Sequence, residues 1–213
     1  METMKSESMW DKLASNWDTP GVSLGKNDLR IIEKTKLYLH AGDTALDYGC
    51  ATGSIALEIA NTAKVVHGID LSSKMIKIAR RKADERKIKN IEFTHATIFD
   101  ESLKKESFDV ILALSILHLL KDSPQAINRI SQLLKPGGIF VSATPCLGER
   151  TFISILINIP VFLLSKTGIL PHINFFNVPR LIALIKNEDF QIVENESLSV
   201  HPITEHFIVA KKI

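Results

Sequence analysis

The stretch Thr44-Ala45-Leu46-Asp47-Tyr48-Gly49-Cys50-Ala51-Thr52-Gly53-Ser54-Ile55-Ala56-Leu57 decides how the chain is read. A short apolar run ends in an acidic residue, a turn of small residues follows, and an amphipathic pattern begins. That order predicts a strand, a tight loop and a helix, the first unit of a βαβ fold. Gly49 and Gly53 let backbone approach a ligand where a side chain would block it. Asp47 puts a carboxylate near the carboxyl end of the strand, where open α/β sheets bind their ligands.

Downstream, Lys64–Asp70 reads as a second strand that also ends on a carboxylate, with Ser72-Ser73 as a helix start. Asp70 has two readings. It accepts hydrogen bonds from the vicinal hydroxyls of a ribose, or it helps to cap the next helix. Its position at a strand end, about 20 residues beyond the glycine loop, favours the ribose. The helix from Lys74 to Lys87 has one apolar face (Met75, Ile76, Ala79, Ala83) and one basic face. Asp84 and Glu85 interrupt the basic run and no aromatic residues are interleaved, which favours a solvated face over a nucleic-acid surface. Ile91–Ala96 is a third strand, and Ser107–Ser115 a fourth, apolar enough for the middle of a parallel sheet. Asp122–Leu134 is a helix, Lys135-Pro136-Gly137-Gly138 a turn, and Ile139–Ala143 the fifth strand. A helix over Val178–Asn187 and strands over Asp189–Val193 and Glu205–Lys212 close the chain.

Before the quoted stretch, Met9, Trp10, Leu13 and Trp17 recur at helical spacing in Lys5–Trp17, and a second helix runs from about Asp28 to Leu39. The 213 residues suit one domain with a full core. A net charge of +2 exerts no global pull toward nucleic acid or acidic lipid. Cys50 and Cys146 suggest no disulfide framework, and Met1–Trp17 lacks a signal-peptide apolar block, so a reducing cytoplasmic setting is expected. No Cys/His set has metal-ligand spacing.

Four segments carry a family resemblance. Asp47-x-Gly49-x-Ala51-x-Gly53 resembles motif I of the class I S-adenosylmethionine-dependent methyltransferases, with Ala51 in place of the middle glycine. Trp10-Asp11-Lys12-Leu13-Ala14, Leu117-His118 and Leu134-Lys135-Pro136-Gly137-Gly138 match further segments, and the pattern is most similar to the small-molecule branch that includes the ubiquinone and menaquinone methyltransferases. The resemblance implies a Rossmann-like three-layer α/β sandwich. Its seven-stranded, mostly parallel sheet has the last strand inserted antiparallel. It also implies S-adenosylmethionine as donor and S-adenosylhomocysteine as product. Asp47, Gly49, Cys50, Ala51 and Gly53 go to the methionine end, and Asp70 with Leu71 to the ribose. Thr97 stands where an Asp commonly meets the adenine, with Ile98 beside it. Ser115 falls near the sulfonium. The dinucleotide alternative needs glycines where Ala51 and Ser54 stand.

His118 is the candidate base if the acceptor is a hydroxyl or an acidic carbon; its bland reading is a histidine bonded to loop backbone. Trp10 and Trp17 either close over the ligand or cover core. The least usual stretch is Thr151–Leu170: Phe152–Leu164 within it is almost wholly apolar, is broken by Pro160, and is too short to span a bilayer comfortably before Ser165-Lys166-Thr167-Gly168 interrupts it. It reads as a lid over a lipophilic acceptor, as a membrane contact, or as a segment packed on the core or a dimer partner, and the lid is the favoured reading. Phe152, His172 and Phe175 are its substrate-side candidates. The expected organisation is one domain over 1–213, with cap helices at about 5–40 and an apolar insertion at about 148–177. The expected function is methyl transfer to a small lipophilic or aromatic acceptor. The alternative is a catalytically silent cofactor-binding protein that acts through a partner. No Asn/Asp-Pro-Pro-aromatic motif points to a nucleic-acid acceptor.

Overall fold

A computed structural model of the chain describes residues 2–18, 24–149, 160, 165, 171–187, 189–199 and 203–213. Strands β1 (Thr44–Tyr48), β2 (Val65–Asp70), β3 (Ile91–His95), β4 (Phe108–Leu114), β5 (Leu134–Cys146), β6 (Phe190–Ser199) and β7 (Thr204–Lys212) form one seven-stranded sheet in the order β3-β2-β1-β4-β5-β7-β6. β1 to β5 pair in parallel, and β7 runs antiparallel between β5 and β6. The expected mostly parallel sheet with an inserted antiparallel last strand is present.

Helices α1 (Glu2–Leu13), α2 (Lys26–Lys36), α3 (Ser54–Ile59), α4 (Ser73–Glu85), α5 (Ser123–Leu133) and α6 (Val178–Ile185) alternate with the strands. α2, α3 and α4 bury Ile31, Ile32, Leu57, Ile59, Ile76 and Ala79 on one sheet face. α5 and α6 bury Ile127, Ile130, Leu133, Leu181 and Ile185 on the other. β4 is covered on both faces, so its residues are almost all buried whichever way they point. Side chains set the helix starts. Ser72 Oγ accepts from Met75 N at 3.1 Å, Asp122 caps α5 and Asn177 caps α6.

Two expected boundaries are corrected. The N-terminal helix ends at Leu13 and tightens into a 3-10 turn over Ala14–Asn16. β5 begins at Leu134, the last residue of the expected helix, and runs through the expected turn, because Leu134 pairs with Phe108 and Ile139 with Val110, so Lys135–Gly138 bulges out of a continuous ladder. Cys50 and Cys146 are free and buried. No helix among the described residues is long and apolar enough to cross a membrane.

The chain turns from β1 to β2 on one side, while β4 and β5 lie on the other. β1 and β4 are neighbours and mark the topological switch point.

Candidate active site

A cavity of about 610 Å³ opens at the carboxyl ends of the first four strands, within the ~300–1,000 Å³ range of small-molecule sites. Asp47–Thr52 line it after β1, Asp70 and Leu71 after β2, Ala96 and Thr97 after β3, and Leu114–Ile116 after β4. The β1 loop turns three times through the left-handed region, at Gly49 (φ 77°), Ala51 (φ 47°) and Gly53 (φ 74°). A Cβ on Gly53 would stand 2.5 Å from the Phe93 ring, so this glycine serves the packing of loop on sheet. Gly53 itself does not line the cavity. Ala51 follows the path of a glycine at the strain of a non-glycine residue. Ser115 is also left-handed (φ 53°) and is held by its N–H to Ala143 O at 2.7 Å.

Two carboxylates define the electrostatics. Asp70 accepts from Ala51 N at 3.0 Å and from Ser72 N at 2.7 Å, tying the β1 loop to the start of α4. Burial nevertheless raises its pKa. Asp70 thus performs the capping of the bland reading and still faces the cavity. Asp47 is 3% exposed and accepts no hydrogen bond among the described residues. Burial, and then the charge of Asp70, push it up to about 7. A buried carboxyl with no partner that lines a cavity is a site prepared for a donor or a cation. Burial also raises the Cys50 thiol and the Tyr48 phenol, so neither supplies an anion here.

The N-terminal segment lies across the opening and contributes Ser6, Trp10, Trp17 and Asp18 to the wall. Trp10 and Trp17 meet edge to face, centroids 6.0 Å apart. Three polar clasps hold the segment to the strand tips. Glu7 pairs with His95 at 3.2 Å. Asp11 accepts from Ser72 Oγ at 2.5 Å and Lys74 N at 3.1 Å. Asp18 accepts from Thr52 Oγ1 at 2.8 Å and pairs with Lys82, which also donates to Ser54 Oγ at 2.7 Å. The sequence marked Asp11 only as part of a matched segment, and nothing in it marked Asp18, Thr52 or Lys82.

Other expected residues sit elsewhere. Ile98 is fully buried in the core under α5 rather than on the cavity wall. His118 lies in the 3-10 turn Leu117–Leu119, where Leu119 and Leu120 face the cavity and His118 does not line it. Its Nδ1 is buried without a partner, and burial lowers its pKa to about 4, which leaves a neutral ring. Its backbone carbonyl accepts from Asn174 N at 2.6 Å. The segment 171–177 thereby docks on this turn, with Gly148 N donating to Phe176 O at 2.6 Å. His172 is exposed and bonded to Asn174 at 3.2 Å, and neither it nor Phe175 lines the cavity. Phe152 and most of the apolar insertion lie outside the described residues. Leu24, Asp28, Ile31 and Phe99 line the cavity and were not foreseen. Phe99, 47% exposed, is an apolar ring beside the opening. Among the described residues, no three acidic, imidazole or thiol groups converge as metal ligands would.

Compared with known proteins, residues 39–190 match the family described as "Methyltransferase domain". The chain belongs to the methyltransferase domain family. With the family come its enzyme class and its donor, S-adenosylmethionine. This methyltransferase is 24% identical over 173 residues to a ubiquinone biosynthesis O-methyltransferase of Shewanella sp. (strain ANA-3), covering 81% of this chain and 73% of that one. In fold it is similar to the [4+2]-cyclase SpnF, with a TM-score of 0.77 at 16% identity over 100% of this chain and 96% of the other. A geranyl diphosphate C-methyltransferase from Streptomyces coelicolor A3(2) has a TM-score of 0.73 at 12% identity, covering 100% and 98%. It was solved with Mg2+, geranyl diphosphate and S-adenosyl-L-homocysteine. The unpartnered Asp47, the left-handed loop and the cavity volume fit a nucleoside-bearing cation, so the donor and these residues agree.

Proposed function

We propose that this methyltransferase transfers the methyl group of S-adenosylmethionine to a small apolar acceptor that enters beneath the N-terminal segment. The observation that carries this reading is the mixed lining of the cavity at the switch point: Asp47, Asp70, Thr97 and the β1 loop supply polar groups, and Trp10, Trp17, Leu119, Leu120 and Phe99 supply apolar ones. The bound donor supplies an electrophilic methyl on a positive sulfur. The chain's own residues do the rest. Asp70 is positioned for the ribose hydroxyls with lone pairs that Ala51 N and Ser72 N leave free. Asp47 faces the methionine end, Thr97 the adenine, and Ser115 the centre of the cavity. The two indoles and Leu119–Leu120 exclude water and hold the acceptor in line.

His118 stands behind Leu119 and Leu120 in this reading. Off the cavity wall and made a weak base by burial, it does not take the acceptor's proton. The experiment is calorimetry with S-adenosylmethionine together with a methyl-transfer assay across short polar and long apolar phenols, amines and thiols. Donor binding with turnover of apolar acceptors is expected. Donor binding without turnover of any acceptor would instead favour a silent binding protein, and turnover of polar acceptors alone would remove the apolar-acceptor reading.

A further inference from the structure

The turn after β4 carries Leu119 and Leu120 to the cavity wall, and its own hydrogen bonds hold it only in part. Leu119 N donates to Ile116 O at 2.8 Å, but Leu120 N reaches Leu117 O only at 3.4 Å. A single 3-10 turn has poor hydrogen-bond geometry of its own. Asn174, 54 residues beyond Leu120, supplies donors on both sides of Leu119. Its backbone N–H donates to His118 O at 2.6 Å, and its Nδ2 donates to Leu120 O. The same Nδ2 lies 3.2 Å from Ser123 Oγ, which stands 3.2 Å from Leu117 O and 3.3 Å from Leu120 O. His172 Nε2 meets Asn174 Oδ1 at 3.2 Å, so both ends of the amide are engaged. Asn174 is itself presented from a firm support. Gly148 N donates to Phe176 O at 2.6 Å, and a Cβ on Gly148 would stand 2.5 Å from Phe175 O, so the chain after β5 meets segment 171–177 backbone to backbone. Glu149 Oε1 accepts from Val178 N at 2.8 Å and ties the same segment to the start of α6.

Resting on the reading of Leu119 and Leu120 as part of the acceptor's side of the methyl-transfer site, we propose that Asn174 is a positioning residue for the acceptor. It holds the carbonyls on either side of Leu119 and so fixes where the two leucines meet an apolar molecule beside the donor's methyl. Asn174 does not line the cavity and acts through the turn. Methyl transfer needs the attacking atom in line with the sulfonium carbon, and a wall displaced by about 1 Å costs on the order of 10²-fold in rate. Without the amide, Leu120 O keeps only the 3.3 Å contact of Ser123 Oγ among these bonds, and the turn is free to shift. The hydrogen bonds of the Asn174 side chain run to Leu120, Ser123 and His172, none of which is assigned to the donor. Acceptor handling and donor affinity therefore separate at this residue.

The test uses the full chain with S-adenosylmethionine and a series of phenols bearing a methyl, butyl or octyl tail. Calorimetry gives the donor Kd, and product formation gives kcat and KM for each phenol. Asn174→Ala is expected to leave the donor Kd within about twofold, to lower kcat/KM for the octyl phenol by roughly tenfold or more, and to flatten the preference for the longer tail. Asn174→Asp keeps the size of the side chain and sets a carboxylate against Leu120 O; it should act in the same direction, and it is the second variant should the alanine one fold poorly. Because the effect runs through the leucines, Asn174→Ala should add little once Leu119 and Leu120 are both alanine. Hydrogen exchange on the native chain needs no variant: the octyl phenol added to the S-adenosylhomocysteine complex should slow exchange over 171–177. Unchanged kcat/KM and tail preference in a folded Asn174 variant overturn the proposal, as do effects that add fully to those of the leucine changes. A donor Kd weakened as much as acceptor turnover also overturns it, and marks Asn174 as a staple of the fold alone. If the native chain binds the donor and turns over none of the phenols, the apolar-acceptor reading fails, and the proposal with it.

Discussion

Asp47→Asn separates the fold's needs from the site's. In the native chain the carboxyl is 3% exposed and unpartnered, and its pKa stands at about 7 against 3.8 for a free group. The native state therefore holds a proton that the unfolded chain releases first. Well below pH 3.8 both states are protonated and the ionisation of Asp47 costs nothing. As pH rises from about 4 to 7 the unfolded state is favoured, and above the folded value the full cost applies, about 4 kcal/mol at 1.36 kcal/mol for each tenfold difference in proton affinity. Asn, of nearly the same shape and uncharged, removes that cost. Urea unfolding of the cofactor-free protein at pH 5 and pH 8 should show Asp47→Asn gaining on the native sequence as pH rises, and passing it at pH 8. Calorimetry should show the same variant binding S-adenosylmethionine at least tenfold more weakly, since the residue that destabilises the empty site is the one that meets the cation. Parallel pH dependences for the two proteins, or a variant less stable at pH 8, would refute the reasoning.

Three further outcomes follow from particular contacts. Gly68→Ala would place a Cβ 2.5 Å from Phe93 Cδ1 and 3.1 Å from Cys50 Sγ, and should cost about 1–3 kcal/mol in thermal unfolding, partly restored by Phe93→Leu. Ala51→Gly relieves a residue at φ 47° and should stabilise by about 0.5–1 kcal/mol; a loss of stability in urea unfolding would contradict the strain. Glu194 is held below its usual range by Lys34 first and then by Tyr38 OH at 2.6 Å. The stability it contributes is present above the unfolded value of 4.5 and is lost as pH falls through the depressed folded one. Glu194→Gln should therefore cost about 1 kcal/mol at pH 7 and progressively less in acid, followed by unfolding at each pH.

SpnF, named a cyclase, shares the fold at a TM-score of 0.77, so architecture alone does not name the chemistry. What narrows it here is the family match over residues 39–190 together with the residues at the strand tips.

Local pattern was enough for the alternation of strands and helices, for the glycine loop and for carboxylates at the ends of β1 and β2. Hydrophobic period, turn residues and strand-end acids are all written within a few neighbours along the chain. Tertiary packing decided the rest. Asp11 reaches Ser72 and Asp18 reaches Thr52 across long separations that no local pattern encodes. His118 differs from Leu119 only by the next step of a 3-10 turn, yet that step turns it off the cavity and leaves its Nδ1 buried. Ile98 reads like any residue after a strand until α5 covers it. The charge of the cavity is likewise a property of which side chains meet in space, and a chain of net charge +2 gathers four carboxylates around one opening only once it is folded.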